Sequence, residues 1–404
     1  MSASDDLPLA GVRIVEISSF VAVPLAGMTL AQLGAEVIRV DPVGGAADYK
    51  RWPLTEAGVS IYWAGLNKSK RSVAADMRSE DGQHLVAQLI ADAGILITNV
   101  AGRQWHSYEE LSAQRPDLIH LEVVGRGDGS TGVDYTVNAA TGFPLVTGSP
   151  AQGGPVNHVL PAWDVSCGLY AALAILVALR RREATGQGSR IRLPLDDVAL
   201  ATAANLGFLT EPMVNGTQRP RLGNAIYGQY GQDYTSSDGA TFMLVALTNR
   251  HFRDLAELTG TTKAVAAVAE ALGADFNDEG QRYEHRAVLT GLFAPWFAKH
   301  TAEQVSAALA ESSVLWDRYK DFAEVAQDPR VTANPLFTLL TQPRIGSYLA
   351  PGLPMSVDGV HSAAQPAPAL GDDTEAVLAE VGYTAEEIAT LVESRTVATG
   401  TTPA

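Results

Sequence analysis

Cysteine is nearly absent from this chain: Cys167 is the single one in 404 residues. No disulfide framework can form within the chain, which points to a reducing, cytoplasmic setting. Cys167 lies in an apolar helical pattern with no histidine on the same face. It reads as a small core residue rather than a nucleophile. Positive charge is scarce as well. The 29 Lys and Arg stand against 45 Asp and Glu, giving a net charge of −16 and a pI near 4.9. So acidic a chain is a poor partner for nucleic acid or an anionic membrane, and neither is expected. Long hydrophobic runs are also missing. The longest uncharged apolar stretch, Leu169 to Leu179, is too short to cross a bilayer, which takes about 20 residues. It is expected to be a buried helix. The opening MSASDDLPLAG has neither a basic n-region nor an apolar h-region, so no secretory signal is expected.

The usual signatures of several chemistries are absent too. No GxxxxGK[ST] phosphate loop, HExxH, CxxC pair or GxSxG elbow occurs, and the 8 histidines are scattered. These absences give no support to a P-loop, a metal site or the common serine hydrolase. Gly125-Arg-Gly-Asp-Gly-Ser-Thr-Gly132 is dense in glycine after a strand signal, but no helical pattern follows it. A plain loop is expected there rather than a dinucleotide site.

What is present is a globular pattern, 46% hydrophobic and 18% charged. Strand and helix signals alternate along the first half. Residues 12–17, 36–40, 95–97, 118–124 and 190–193 read as strands. Residues 24–33, 82–92 and 108–114 read as helices. This order argues for an α/β fold with a parallel, doubly wound sheet. Asn215 to Tyr234 is rich in Gly, Arg, Asn and Tyr and reads as a boundary and mobile loop. Residues 235–330 suggest a smaller domain with a strand at 240–246. The chain after Pro335 reads as irregular, apart from helices at 373–381 and 385–394. The last six residues are expected to be disordered.

The stretch HVLPAWDVSCGLYAALAILVALRRRE, residues 158–183, poses the functional question. Asp164 opens an apolar run that meets no other charge until Arg180. Such a carboxylate suits a helix N-cap. The alternative is a nucleophile or base at a pocket mouth, partly desolvated by Trp163. Cations gather elsewhere. Asn67-Lys-Ser-Lys-Arg71 is the densest cluster, and Arg39, Arg78 and Arg103 fall at or just after strand ends. In a doubly wound sheet ligands bind at the carboxyl ends of the strands, so Arg39, Asn99 and Arg103 could share a rim facing a phosphate-bearing ligand. Singly, each is equally explained as a solvated surface charge.

These pieces, in this order, resemble the family III CoA-transferases, the family of formyl-CoA transferases and 2-methylacyl-CoA racemases. LAGVRIVEISSFVAVPLAGMTLAQLGAEVIRVDP is similar to the family's first βαβ unit. NKSKRSVAADMRSEDG, ILITN and WDVSCGLYAALAILVALRRREATGQGSRIRLPLDDVAL are similar to later segments, so the likeness spans nearly the whole chain. The resemblance implies that Asp164 is a nucleophile, attacking an acyl-CoA thioester to give an anhydride and then an aspartyl-CoA thioester. It implies that Phe20, Val21 and Ala22 line the pantetheine channel. Ala75, Met77 and Arg78 would lie near the adenine and ribose phosphate, and Asn99, Val100 and Arg103 would contact the nucleotide. Some members carry an Arg where this chain has Pro42, and Arg39 is the substitute expected here. The racemases use a His in a Gly-His-Asp segment; Gly132-Val133-Asp134 stands there in this chain, and Val cannot move a proton, so racemisation is disfavoured. Tyr227-Gly-Gln-Tyr-Gly-Gln232 occupies the place of the family's glycine-rich lid and is expected to act as one.

Further stretches, among them DYKRWP, YWAGLNKSKRS, VDYTVN, VNHVLPAWD and RPRLGN, are similar to members that move CoA within one dicarboxylate, from C1 to C4 of mesaconate. That implies a cationic pocket for the free carboxylate, with Arg51, Arg219 and Arg221 as candidates. Intermolecular transfer from a donor such as succinyl-CoA is the alternative. No tightly bound cofactor and no metal are implied; coenzyme A enters as part of the acyl-CoA substrate. The resemblance also implies an interlocked homodimer. Each chain would have a Rossmann-like large domain (1–210, rejoined by 330–404) and a small α+β domain (225–325).

Overall fold

The computed structural model describes residues 7–100 and 102–400. The β-branched run near the N-terminus forms β1 (Arg13–Ile17), followed by the helix Ala22–Gln32. Strands β2 (Glu36–Asp41), β3 (Arg71–Ala75), β4 (Ile95–Thr98), β5 (Ile119–Val124) and β6 (Ser189–Pro194) complete a parallel sheet in the order β3-β2-β1-β4-β5-β6. Val15 lies opposite both Ile38 and Leu96. The central strands are buried on both faces, as parallel strands covered by helices must be. Chain order reverses between β1 and β4, so a crevice opens at their carboxyl ends.

Several elements escape the sequence pattern. β3 sits inside the cationic segment. It is held partly from far along the chain: the Asp373 carboxylate accepts the Ser72 N–H at 2.8 Å, and Thr374 the Ala74 N–H at 3.2 Å. The two-residue strand Val397–Ala398 adds antiparallel to β3. Part of the chain after Pro335, expected to be irregular, is a hairpin of Phe337–Gln342 with Gly346–Pro351. Of the last six residues, Gly400 donates its N–H to the Gly371 carbonyl at 3.1 Å; 401–404 lie outside the described residues.

The helix Ala162–Thr185 is long and apolar enough, by length and composition alone, to cross a membrane. In the fold it packs along Ala22–Gln32. A Cβ at Gly168 would stand 2.6 Å from the Ala22 carbonyl oxygen, so only glycine permits this approach. Cys167, Ala171, Ile175 and Ala178 are buried, while Leu169, Tyr170, Leu173 and Val177 are each more than half exposed. The expectation of a buried helix holds for one face only.

A buried charge cluster lies under the carboxyl ends of β1 and β2. Arg39 donates to Asp41 at 2.9 Å, Asp48 at 3.2 Å and Asn67 at 3.0 Å. Lys70 donates to Glu16 at 2.8 Å and Asn67 at 2.8 Å. Burial opposes the Arg39 charge, but Asp41, Glu16 and Asp48 outweigh it and push its pKa up. Burial brings Lys70 down to about 8 in spite of Glu16. Arg39→Met would leave three buried carboxylates facing one ammonium. Removing one partner of such a cluster costs about 3–5 kcal/mol. The urea midpoint is expected to fall by that equivalent with an unchanged slope; a wild-type midpoint would deny the cluster its structural role.

The described residues fall into two compact units: one from those within 7–141, 158–206 and 328–400, the other from 142–157 and 207–327. The second holds an antiparallel sheet of β7 (Tyr230–Thr235), β8 (Thr241–Ala246) and β9 (Leu315–Arg318), packed on helices around Phe242, Leu289, Phe293 and Phe297.

Candidate active site

A cavity of about 660 Å³ opens where β1, β4 and β5 end. Asp164 lines it, as the third residue of the helix Ala162–Thr185. The N-cap expectation is corrected: Pro161 holds the cap position and offers no side-chain bond. The cap comes instead from Asp134, first residue of the short helix Asp134–Ala139. Its Oδ2 accepts the N–H groups of Trp163 and Asp164 at 2.8 and 3.1 Å. The Asp164 carboxylate itself has no hydrogen-bond partner among the described residues and is only partly buried. Burial, and then the Asp134 charge, push its pKa up to about 6, with Arg51 pulling it down. Burial likewise takes the Cys167 thiol, one turn further into the core, up to about 12, in keeping with a packing role.

Phe20, Val21, Ala22 and Asn99 all line this cavity. The turn that carries Phe20 is strained. Phe20 adopts φ +65°, a left-handed conformation that a bulky residue rarely takes. Its N–H is held by Asp48 Oδ2 at 2.9 Å. Asn99 clamps the preceding residue twice, accepting from Ser19 N–H at 3.0 Å and donating to the Ser19 carbonyl at 2.8 Å. The Arg51 guanidinium also faces the cavity, 5.4 Å from the Phe20 ring centroid and 5.1 Å from that of Tyr62. Tyr62, another wall residue, is raised to about 12, chiefly by burial. The loop from Gly125 to Gly132 closes one side. A Cβ on Gly125 would meet the Gly132 nitrogen at 2.3 Å, so the ends of the loop touch only because residue 125 is glycine. It is a loop, as expected, but a helix does begin directly after it at Asp134. Val133 lines the cavity and is 61% exposed.

Met77, Arg78, Val100 and Arg103 meet in a second cavity of about 420 Å³, and Ser19 stands on the wall of both. Arg78 is held by Asp76 at 2.9 Å. Ala75 is fully buried at the end of β3 and lines neither cavity. Arg39 is a correction. It is fully buried and its guanidinium is spent on Asp41, Asp48 and Asn67, so it has no face left for a phosphate. Arg219 and Arg221 belong to the second unit and are engaged there. Arg219 pairs with Glu211 at 2.8 Å and stacks 3.9 Å from the Phe208 centroid; Arg221 donates to the carbonyls of Leu145, Gln152 and Gly154. Part of the expected lid is also corrected: Tyr230 is a core residue of β7, 1% exposed, so the segment cannot move as one flexible loop.

Sequence reasoning missed Asp134 and His158 as a unit. His158 Nε2 lies 2.9 Å from Asp134 Oδ1. An acid opening a short helix was the available signal, but nothing local shows that it caps a different helix. Among the described residues, no cluster of three or more His, Cys, Asp or Glu is arranged to hold a metal ion.

Comparison with known proteins gives concordant matches. The model of CoA-transferase family III matches residues 9–374. The chain is 46% identical to 2-methylfumaryl-CoA isomerase of Chloroflexus aurantiacus over 399 residues, 96% of this chain and 98% of that one. It is 28% identical to succinyl-CoA–D-citramalate CoA-transferase of the same organism, covering 96% and 98%. Among solved structures, a CAIB/BAIF family protein from Brucella suis superposes with a TM-score of 0.78 at 28% identity, covering 93% of this chain and 99% of that one.

Proposed function

Since the chain belongs to CoA-transferase family III, and is therefore an enzyme, we propose that it moves CoA within a single mesaconate molecule, converting 2-methylfumaryl-CoA to 3-methylfumaryl-CoA. One observation carries this. The cavity places a carboxylate with no hydrogen-bond partner among the described residues, Asp164, near one guanidinium, Arg51. The first is a nucleophile; the second suits the carboxylate that is not reacting. The 46% identity to 2-methylfumaryl-CoA isomerase supports this choice of acid.

In the proposed sequence the Asp164 carboxylate attacks the C1 thioester carbonyl. The C–S bond breaks and CoA leaves as thiolate, giving a mixed anhydride. The thiolate attacks the aspartyl carbonyl, freeing the C1 carboxylate and leaving an aspartyl-CoA thioester. The C4 carboxylate then attacks that thioester, thiolate leaves again, and it closes on C4 as Asp164 is released. No proton is gained or lost overall, so Val133 where other members have a base is no obstacle. The two cavities, joined at Ser19, support an extended ligand: the nucleotide near Arg78 and Arg103, the acyl end near Asp164. The exposed apolar stripe Leu169, Tyr170, Leu173 and Val177 supports a homodimer as the working form.

The test supplies 2-methylfumaryl-CoA with a large excess of isotopically labelled free mesaconate and follows CoA esters by mass spectrometry. Unlabelled C4 thioester is expected. Label in the product would sink intramolecular transfer and favour exchange between separate acids, the reaction class named for the 28%-identical relative.

A further inference from the structure

We infer that His158 is a positioning residue for Asp164, acting through Asp134. Asp134 is 2% exposed, and a buried carboxylate is stable only while donors fill its oxygens. Oδ2 is filled by the N–H groups of Trp163 and Asp164, and Oδ1 by His158 at 2.9 Å. His158 is itself fixed from two sides. Its ring lies 6.1 Å from that of Tyr135 and 6.0 Å from that of Trp163. The Trp163 indole N–H is in turn tied to Asn138 Oδ1 at 3.1 Å, on the same short helix as Asp134.

The chain of contacts therefore runs from imidazole to carboxylate to the backbone of the nucleophile. Among the described residues His158 does not line the cavity, although Val159 and Pro161 do, so it does not meet the reacting atoms. Its part is to hold Asp134 in place with an Nε2–H donor. Without that donor, Oδ1 is left buried and unfilled, and the Asp134 carboxylate gains by turning toward water. The first turn of the helix then loses the cap on Trp163 and Asp164 N–H, and the Asp164 carboxylate loses its fixed bearing. A nucleophile displaced by about 1 Å loses on the order of a hundredfold in rate.

The kinetic half of this inference rests on the transferase reading; the structural half does not, and the two are read separately. The variants are His158→Leu, which fills space without a donor, and His158→Gln, whose side-chain amide donates. Hydrogen exchange by mass spectrometry on peptides covering Trp163 and Asp164 needs no turnover. H158L is expected to exchange these amides at least about tenfold faster, with kcat for thioester isomerisation down at least about tenfold and KM within about twofold. H158Q is expected to restore both. Unchanged exchange in H158L, or an H158Q as damaged as H158L, overturns the inference. A rise in KM with kcat intact also overturns it, since that would mean substrate contact. If H158L does not fold, H158Q decides against wild type: normal exchange and kcat support the donor role, and loss of both refutes it. If the wild type shows no thioester transfer at all, the transferase reading fails, and the exchange data still decide whether His158 holds the cap.

Discussion

Asp164→Ala is expected to lower kcat by about 10⁴-fold or more while the protein still folds and binds acyl-CoA. Losses of this order follow removal of a covalent nucleophile, because the remaining site can only position and polarise. Asp164→Asn should be nearly as inactive, since a neutral amide cannot attack a thioester. The raised pKa adds a signed pH dependence. The free-enzyme carboxylate titrates near 6, so kcat/KM should rise through about pH 6 to a plateau above it. The same sign governs stability. An acid whose pKa is raised by folding favours the folded state when protonated, and that contribution fades as pH climbs through the folded value. Asp164→Asn should therefore melt higher than wild type at pH 8, with the advantage vanishing below about pH 4. Calorimetry of both proteins at the two pH values, beside steady-state kinetics, tests the assignment. An active Ala variant would refute it outright.

Arg51→Gln is expected to cut kcat/KM for the dicarboxylic thioester by about 10²–10³-fold, as loss of a charged partner that the bound substrate covers does. Arg51→Lys should recover only part of this, because an ammonium cannot bind a carboxylate side-on through two N–H groups. A second effect separates this role from general damage. Arg51 lowers the Asp164 pKa in the wild type, so in Arg51→Gln the acid limb of the pH profile should move upward from about 6. An Arg51→Gln enzyme with unchanged kcat/KM and an unmoved acid limb would remove Arg51 from the substrate site.

The sheet was legible wherever a strand announced itself locally. β1, β2, β4 and β5 carry β-branched or aliphatic runs between helices, and these fall within a residue or two of their expected places. β3 did not, because Arg-Ser-Val-Ala-Ala offers one β-branched residue and relies on Asp373 and Thr374 for two of its hydrogen bonds. Asp164 stood out as a lone carboxylate heading an apolar run, and the family resemblance gave it a role. Arg39 misled. Its place near the end of a strand suggested a rim, yet Asp41 lies two residues on, on the same face of the strand, and a pair so spaced can as well be buried together. Asp134 and His158 lie 30 and 6 residues from Asp164. Only the fold makes them neighbours, and no period in the sequence encodes a cap delivered from another helix.

The cap has a consequence for how this cavity can change over generations. Asp134 is buried and tied by three hydrogen bonds, whereas Val133 beside it is 61% exposed. One residue of the pair is a mount and the other an interchangeable fitting. A new side chain at 133 can bring a proton carrier, a cation or plain bulk into the cavity that Asp164 lines without disturbing the Asp134 cap. Diversification of chemistry on such a scaffold needs one tolerant position beside one intolerant one, and here the two are consecutive.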